Sequence, residues 1–472
     1  MRTNRVFYAP CLRRLLEGGI FISAKTPKNV TSFCYFILNH PEHAAKVRKL
    51  AVWGPLSQYS GQPAIIPSLE KVLHLLVNLE RLTIEKSEQF FSHKGLCQFV
   101  MRCTTLKSIS FHTVGIHAAI GMVSMSSPVA NATVTFGPDD EEEYSSDDED
   151  EYNSPDPILA LKAFKEYLTK VYIASTHIWE ADIVYPKVHT LSVGTDDIRI
   201  GNAIFMESFP NVRNMYWTAI ESDQWTNAGG TRAERLAYAQ DLIVDDIVLP
   251  TWKSLDTLGC GVSRAYSLAM TFPVRLWKNV HLSAPHQIRE FHGVLADIKP
   301  LHLSMSVEVK AFGPELLTEF FRSDTVTHLN VTFKMAKCSW ASQFGRPFDA
   351  SRFFESLRAG LQRMPLVLLI VRFEYDFSLE YGANIPGARS KDPVETALHH
   401  LDTARFVALL KDKMPLLKHV CYCFGDKLPG RSNSLWAVSD EQGVNPVKLE
   451  RDKAWKVLRE SPFRKASAVW NI

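Results

Sequence analysis

Apolar residues recur along this chain in a six-residue beat: one apolar position, a second three residues on, and a third two residues after that. The beat reads Val47-x-x-Leu50-x-Val52, Leu79-x-x-Leu82-x-Ile84 and Leu106-x-x-Ile109-x-Phe111 in the first quarter of the sequence. It resumes at Val188-x-x-Leu191-x-Val193, Val212-x-x-Met215-x-Trp217, Leu255-x-x-Leu258-x-Cys260 and Trp277-x-x-Val280-x-Leu282. It closes with Ile298-x-x-Leu301-x-Leu303, Val326-x-x-Leu329-x-Val331, Leu366-x-x-Leu369-x-Val371 and Leu417-x-x-Val420-x-Tyr422. In a strand, alternate side chains share a face, so the last two positions of each copy point inward together. The eleven starting positions are separated by 32, 27, 82, 24, 43, 22, 21, 28, 40 and 51 residues. The shortest gaps match the period of leucine-rich repeats.

Helical periodicity fills the intervals. SRFFESLRAGLQRM (351–364) sets Phe354, Leu357 and Leu361 on one stripe. DPVETALHHLDTARFVALLKDKM (392–414) predicts a long helix, with Asp392 as cap, Pro393 at the first position and Glu395 completing a capping box. Lys411 and Lys413 suit its negative end. Shorter helices are expected in GPELLTEFF (313–321) and PILALKAFKEYL (157–168). Strand, crossover helix and parallel strand, repeated, predict an α/β fold: an irregular leucine-rich-repeat solenoid, strands concave and helices convex. The asparagine or cysteine that usually follows the last apolar position of such repeats is missing, so no side-chain ladder ties the turns.

Composition adds partitioning. Of 472 residues 46% are hydrophobic, ample for a large core, and the formal charge is only +2. Neither nucleic acid nor an anionic membrane is implied by that total. Ten carboxylates and no base crowd into DDEEEYSSDDEDE (139–151), a run that repels itself and reads as a disordered loop. The expected organisation is an N-terminal helical link over 1–32, first repeats over 33–136, the acidic loop over 137–156, remaining repeats over 157–430, and a cap over 431–472. Ser145 and Ser146 each precede an acid by three residues, a spacing favoured by acidophilic kinases. Eight cysteines without a Cys-x-x-Cys pair, a polar N-terminus and the lack of a spanning apolar run predict a cytoplasmic or nuclear protein with free thiols.

FCYFILNHPEHAAKVRKLAV (33–52), LLVNLERLTIE, LCQFVMRCTTLKSISF and the closing MPLLKHVCYCF resemble the repeat array of fungal F-box-type leucine-rich-repeat proteins. RVFYAPCLRRLLEGGIFIS (5–23) is similar to the link that follows the F-box there. The F-box itself, which in that family docks on the adaptor of a cullin-type ubiquitin ligase, is not seen, because only Met1–Asn4 precede the link. The resemblance implies a substrate receptor without its docking half. A ligase adaptor is expected as a partner only if an F-box lies upstream.

No phosphate-binding loop, dinucleotide fingerprint, nucleophile elbow or His-Glu-x-x-His helix occurs, so no cofactor, metal or catalytic residue is assigned. The register instead assigns a concave contact face carrying Trp53, Arg81, Tyr216, His281, His302, His328, Asn330 and His419. Aromatic members supply rigid contact area at low entropic cost. His281 and His302 are expected side by side on consecutive strands. A metal pair is the sharper reading of that neighbourhood; without carboxylate or thiolate company, a polar recognition surface is the one adopted. Cys421 and Cys423 are expected to share the concave side as a free thiol pair, and Trp217 to be core. The expected function is non-catalytic binding of a protein substrate or scaffold by a monomer. The alternative is an enzyme using the histidine-bearing face.

Overall fold

A computed structural model describes residues 5–56, 65–137, 155–174, 182–194, 202–217, 228–244, 252–313, 316–335, 349–375, 398, 400–424, 432–438 and 446–464. The acidic run with Ser145 and Ser146, and the predicted cap at Asp392, lie outside those residues. The chain divides into a first unit, Met1–Ile220 with Val248–Trp252, and a second, Glu221–Ile247 with Lys253–Ile472.

The first unit contains β1 (Ile20–Ser23), β2 (Lys49–Trp53), β3 (Arg81–Ile84), β4 (Ser108–Val114), β5 (Asn131–Phe136), β6 (Lys170–Ala174), β7 (Thr190–Gly194) and β8 (Asn214–Trp217). Each pairs in parallel with the next in sequence. The beat is what keeps them in step: Leu50, Leu82 and Ile109 are register partners, as are Val52, Ile84 and Phe111. All six are buried. Burying one such side chain contributes roughly 2 kcal/mol, so a slip by one residue would turn the whole set to water.

Two rungs complete the interval in which the sequence offered none. Val129-x-x-Ala132-x-Val134 forms β5 and Leu168-x-x-Val171-x-Ile173 forms β6, with all six positions buried. Alanine at 132 disguises the first.

The second unit contains β9 (Leu255–Gly259), β10 (Val274–Leu282), β11 (His302–Glu308), β12 (His328–Met335), β13 (Leu368–Tyr375), β14 (His419–Phe424), β15 (Ser432–Ala437) and β16 (Val447–Lys448). β9 to β14 are parallel neighbours in sequence order, whereas β15 and β16 are added antiparallel. Only seven residues separate Phe424 from Ser432, too few for a parallel crossover.

Two copies of the beat are corrected here. Leu301 is 46% exposed and precedes β11; the in-register pair is Leu303 and Met305, opposite Leu329 and Val331. In β10, Trp277 takes the place of the second position, opposite Leu258, and a bulge then restores Val280 opposite Met305. Asn279, at φ 63°, supplies the left-handed residue of that bulge.

In both units helices pack on the buried side of the strands. Helical Phe91 meets Phe111 at 5.4 Å, Phe205 meets Trp217 at 5.8 Å, and Phe291 stacks on Trp277 at 5.6 Å. Phe353 and Phe354 flank Phe373 at 6.0 and 5.7 Å. Buried indoles are satisfied: Trp252 donates to the Phe209 carbonyl at 2.9 Å and Trp277 to that of Cys260 at 3.0 Å.

Several predicted helices are shorter than their periodicity. PILALKAFKEYL gives a helix only over Pro157–Ala160, then a 3-10 turn over Lys162–Phe164. GPELLTEFF contributes Leu317–Phe320. The long helix expected from 392 is replaced, in its C-terminal half, by Thr403–Lys413; Asp402 caps it by accepting from the Arg405 amide at 3.0 Å. Asp349 likewise caps Ala350–Leu361 through the Arg352 amide at 3.1 Å. An aspartate that satisfies an N-terminal amide starts a helix wherever it stands.

Among the described residues, no helix is long and apolar enough to cross a membrane.

Candidate functional site

The strand positions between the buried ones form a second, polar face in each unit, and the two faces differ. In the first unit the middle row reads Thr83, Ser110, Thr133, Tyr172, Ser192, Tyr216, register partners from β3 to β8. Six hydroxyl-bearing residues therefore stand side by side, their backbones at roughly 4.8 Å intervals, the spacing of neighbouring strands. All are half-buried. Preceding this row lie Lys49, Arg81, Ser108, Asn131, Lys170, Thr190 and Asn214, again in register. On the other side stand Glu85 and His112, the latter 3.0 Å from Ser110 Oγ and 3.2 Å from Thr135 Oγ1. Burial, opposed by the Glu85 carboxylate, pushes the His112 imidazolium pKa down.

Three expected contact residues belong to this face. Trp53 is 39% exposed and its ring lies 5.7 Å from exposed Phe21. Arg81 is exposed and Tyr216 half-buried. Phe21 escaped notice because β1 has no complete beat before it. Trp217, expected in the core, is buried.

The polar face of the second unit is covered by the chain itself over β13 to β15. Helix Arg451–Glu460 turns buried Ala454 and Leu458 toward a cluster formed by Leu368, Ile370, Cys421, Cys423 and Leu435, with Phe463 alongside. Leu368 and Ile370 occupy positions on β13 that are polar on β12, which is why this face is apolar enough to hold a helix. His302 lies beneath it, 8% exposed, with its ring 6.5 Å from Phe463. It is therefore not an open contact residue, as the register alone suggested.

His302 is also not the neighbour of His281. His281 lies opposite Ser306, four residues beyond His302, because Trp277, first in its copy of the beat, pairs with Leu303, last in its own; His302 faces Leu276 on one side and His328 on the other. His281 Nδ1 lies 2.8 Å from Ser306 Oγ, and its Nε2 lies 3.3 Å from Glu308 Oε1. Burial, aided by His328 and Arg275, pulls the His302 pKa down to about 4. His328 and His419, both half-buried, are pulled down by burial as well, His419 also by Lys418. Asn330 donates through Nδ2 to Ser304 Oγ at 2.9 Å.

Cys421 and Cys423 lie on the expected face with their sulfurs 3.5 Å apart. Both are buried in the helix-covered cluster and unbridged. Their mutual hydrogen bond, then burial, raises the Cys421 pKa far above that of a free thiol, the reverse of what a nucleophile needs.

The histidines thus serve three different environments rather than one centre: His281 pairs with Glu308, His302 and His328 form a buried ring contact, and His419 stands one strand further on beyond Leu368. No family model matches the chain, and no curated protein is significantly similar to it.

Proposed function

We propose that the protein binds another protein through the polar face of its first unit, and that each unit is a run of irregular leucine-rich repeats. The observation that carries this reading is the uninterrupted row Thr83, Ser110, Thr133, Tyr172, Ser192 and Tyr216. Strand faces that serve only stability have no need of six half-buried hydroxyl-bearing residues in register, whereas a partner's polar groups find donors and acceptors on every strand there. Exposed Phe21 and Trp53 add the aromatic anchor such surfaces use.

The resemblance to F-box-type repeat proteins favours a substrate-receptor role within a ubiquitin ligase system. Recovery of the ligase adaptor in pull-downs from the native cell distinguishes that version from a plain scaffold, which would retain partners without it. The binding reading itself is tested by Ser110→Arg and Ser192→Arg, which place bulk in the hydroxyl row without touching the core. Both should abolish capture of partners and eliminate cross-links to this face. Unaltered capture by both variants would sink it.

A further inference from the structure

The edge of the first unit's polar face at which its strands begin is basic in a way the net charge of +2 conceals. From β2 to β8, the last residue before each strand and the first within it include the exposed bases Arg48, Lys49, Arg81, Lys107, Lys170 and Arg213, against one carboxylate, Glu80. Glu80 is occupied by Arg48 at 3.3 Å and Lys107 at 3.2 Å. Lys49, Arg81, Lys170 and Arg213 have no acidic partner among the described residues. Six strand intervals at roughly 4.8 Å extend this edge over about 29 Å, the reach of about nine residues of extended peptide.

We infer that this edge and the hydroxyl row beside it bind an extended acidic peptide segment, its carboxylates on Lys49, Arg81 and Lys170 and its backbone over the hydroxyls. The inference rests on the reading of this face as a partner surface and names the partner's chemistry. Charge grades across the face from the basic row, through the neutral hydroxyls, to Glu85 on the far row. A ligand that fits must be acidic along one side and neutral or cationic along the other. Alternating side chains of an extended peptide provide such a two-sided ligand. A single-stranded nucleic acid carries phosphate throughout and gains most from aromatic stacking platforms. Here Tyr172 and Tyr216 are half-buried and separated by Ser192, and exposed Phe21 and Trp53 stand together at one end of the face, on β1 and β2, rather than along it.

The test is fluorescence anisotropy with the full chain and a labelled nine-residue peptide of alternating Glu and Ser. Saturable binding is expected, and it should weaken as salt rises from about 0.1 to about 1 M, which shortens the screening length from ~10 to ~3 Å. The double variant Lys49→Glu/Arg81→Glu should bind about tenfold or more weakly, since each reversal turns an attraction into a repulsion. Lys453→Glu/Lys456→Glu, on the exposed side of the second unit's C-terminal helix, should bind as the parent does. Both altered pairs are exposed, and circular dichroism confirms that the variants fold. Equal binding of an alternating Gln and Ser peptide, or tighter binding of an oligouridylate of equal length, overturns the inference. Partner capture that survives Lys49→Glu/Arg81→Glu but is lost in Ser192→Arg also overturns it, while leaving the partner-binding reading intact.

Discussion

His302 and His328 face each other as register partners on adjacent parallel strands, their rings edge to face with centroids 4.6 Å apart. Neither ring can gain a proton cheaply: two imidazolium ions at that distance repel, and His302 is also shielded from water by Phe463.

That relationship fixes a pH dependence. The His302 pKa is about 4 in the folded chain, against an ordinary value of 6.5. Below pH 6.5 the unfolded chain takes up a proton that the folded one refuses, so stability is full above that pH and falls steadily toward pH 4. Urea unfolding should show a loss on the order of 2 kcal/mol between pH 7 and 5. His302→Gln should flatten much of that slope. A slope identical to the parent's would refute the assignment.

The C-terminal helix is held to the second unit by its apolar stripe. Ala454 and Leu458 are fully buried. Leu458→Ala should weaken docking by about 2–4 kcal/mol through the cavity it leaves. Its readout is thiol chemistry: Cys421 and Cys423, sealed under the helix in the parent, should react with a thiol reagent in Leu458→Asp while the rest of the fold persists. Equal labelling rates in parent and variant would show that the helix does not seal them.

Gly121 sits in helix Ile116–Val123 with no room for a side chain. A methyl group there would come within 2.3 Å of the buried Phe91 ring. Alanine is the better helix former by about 1 kcal/mol, yet overpacking costs about 1–3 kcal/mol. Gly121→Ala is expected to lower the unfolding midpoint, because Phe91 is itself held against Phe90 and Phe111.

Lys299 offers the opposite case. It ends helix Gln287–Ile298 in the left-handed region, at φ 44°, and is exposed. Glycine adopts that conformation without the side-chain clash, so Lys299→Gly should stabilise the second unit by about 1 kcal/mol. Chemical denaturation measures it directly.

Arg232 joins helix Ala228–Val244 to its neighbours: it pairs with Asp297, donates to the Tyr266 carbonyl at 3.0 Å and lies 4.4 Å over the Tyr266 ring. Lysine keeps the charge but not the planar fork, so Arg232→Lys should destabilise this helix by about 1–3 kcal/mol. Amide exchange over 228–237 should accelerate in the variant.

The alternating apolar beat by itself determined that parallel strands recur with helices between them, and, outside the copies at Trp277 and Ile298, which of their side chains are buried. Leu82, Leu258 and Leu329 are inside because a period of two leaves an apolar residue one choice of face. Register across a bulge was not determined locally. An extra residue at Asn279 reverses the parity of everything after it, and Trp277, first in its copy of the beat, pairs with Leu303, last in its own, so His281 and His302 separate although their copies look alike. Leu301 misled for a related reason: it has the right spacing but precedes its strand, and only pairing with β12 selects Leu303 instead. Tertiary structure alone decided where a polar face is covered among the described residues. Helix Arg451–Glu460 falls in the stretch expected only as a cap, and its docking site is an apolar patch collected from β13, β14 and β15. No single segment carries that patch, so the residues that create it come together only when the strands do.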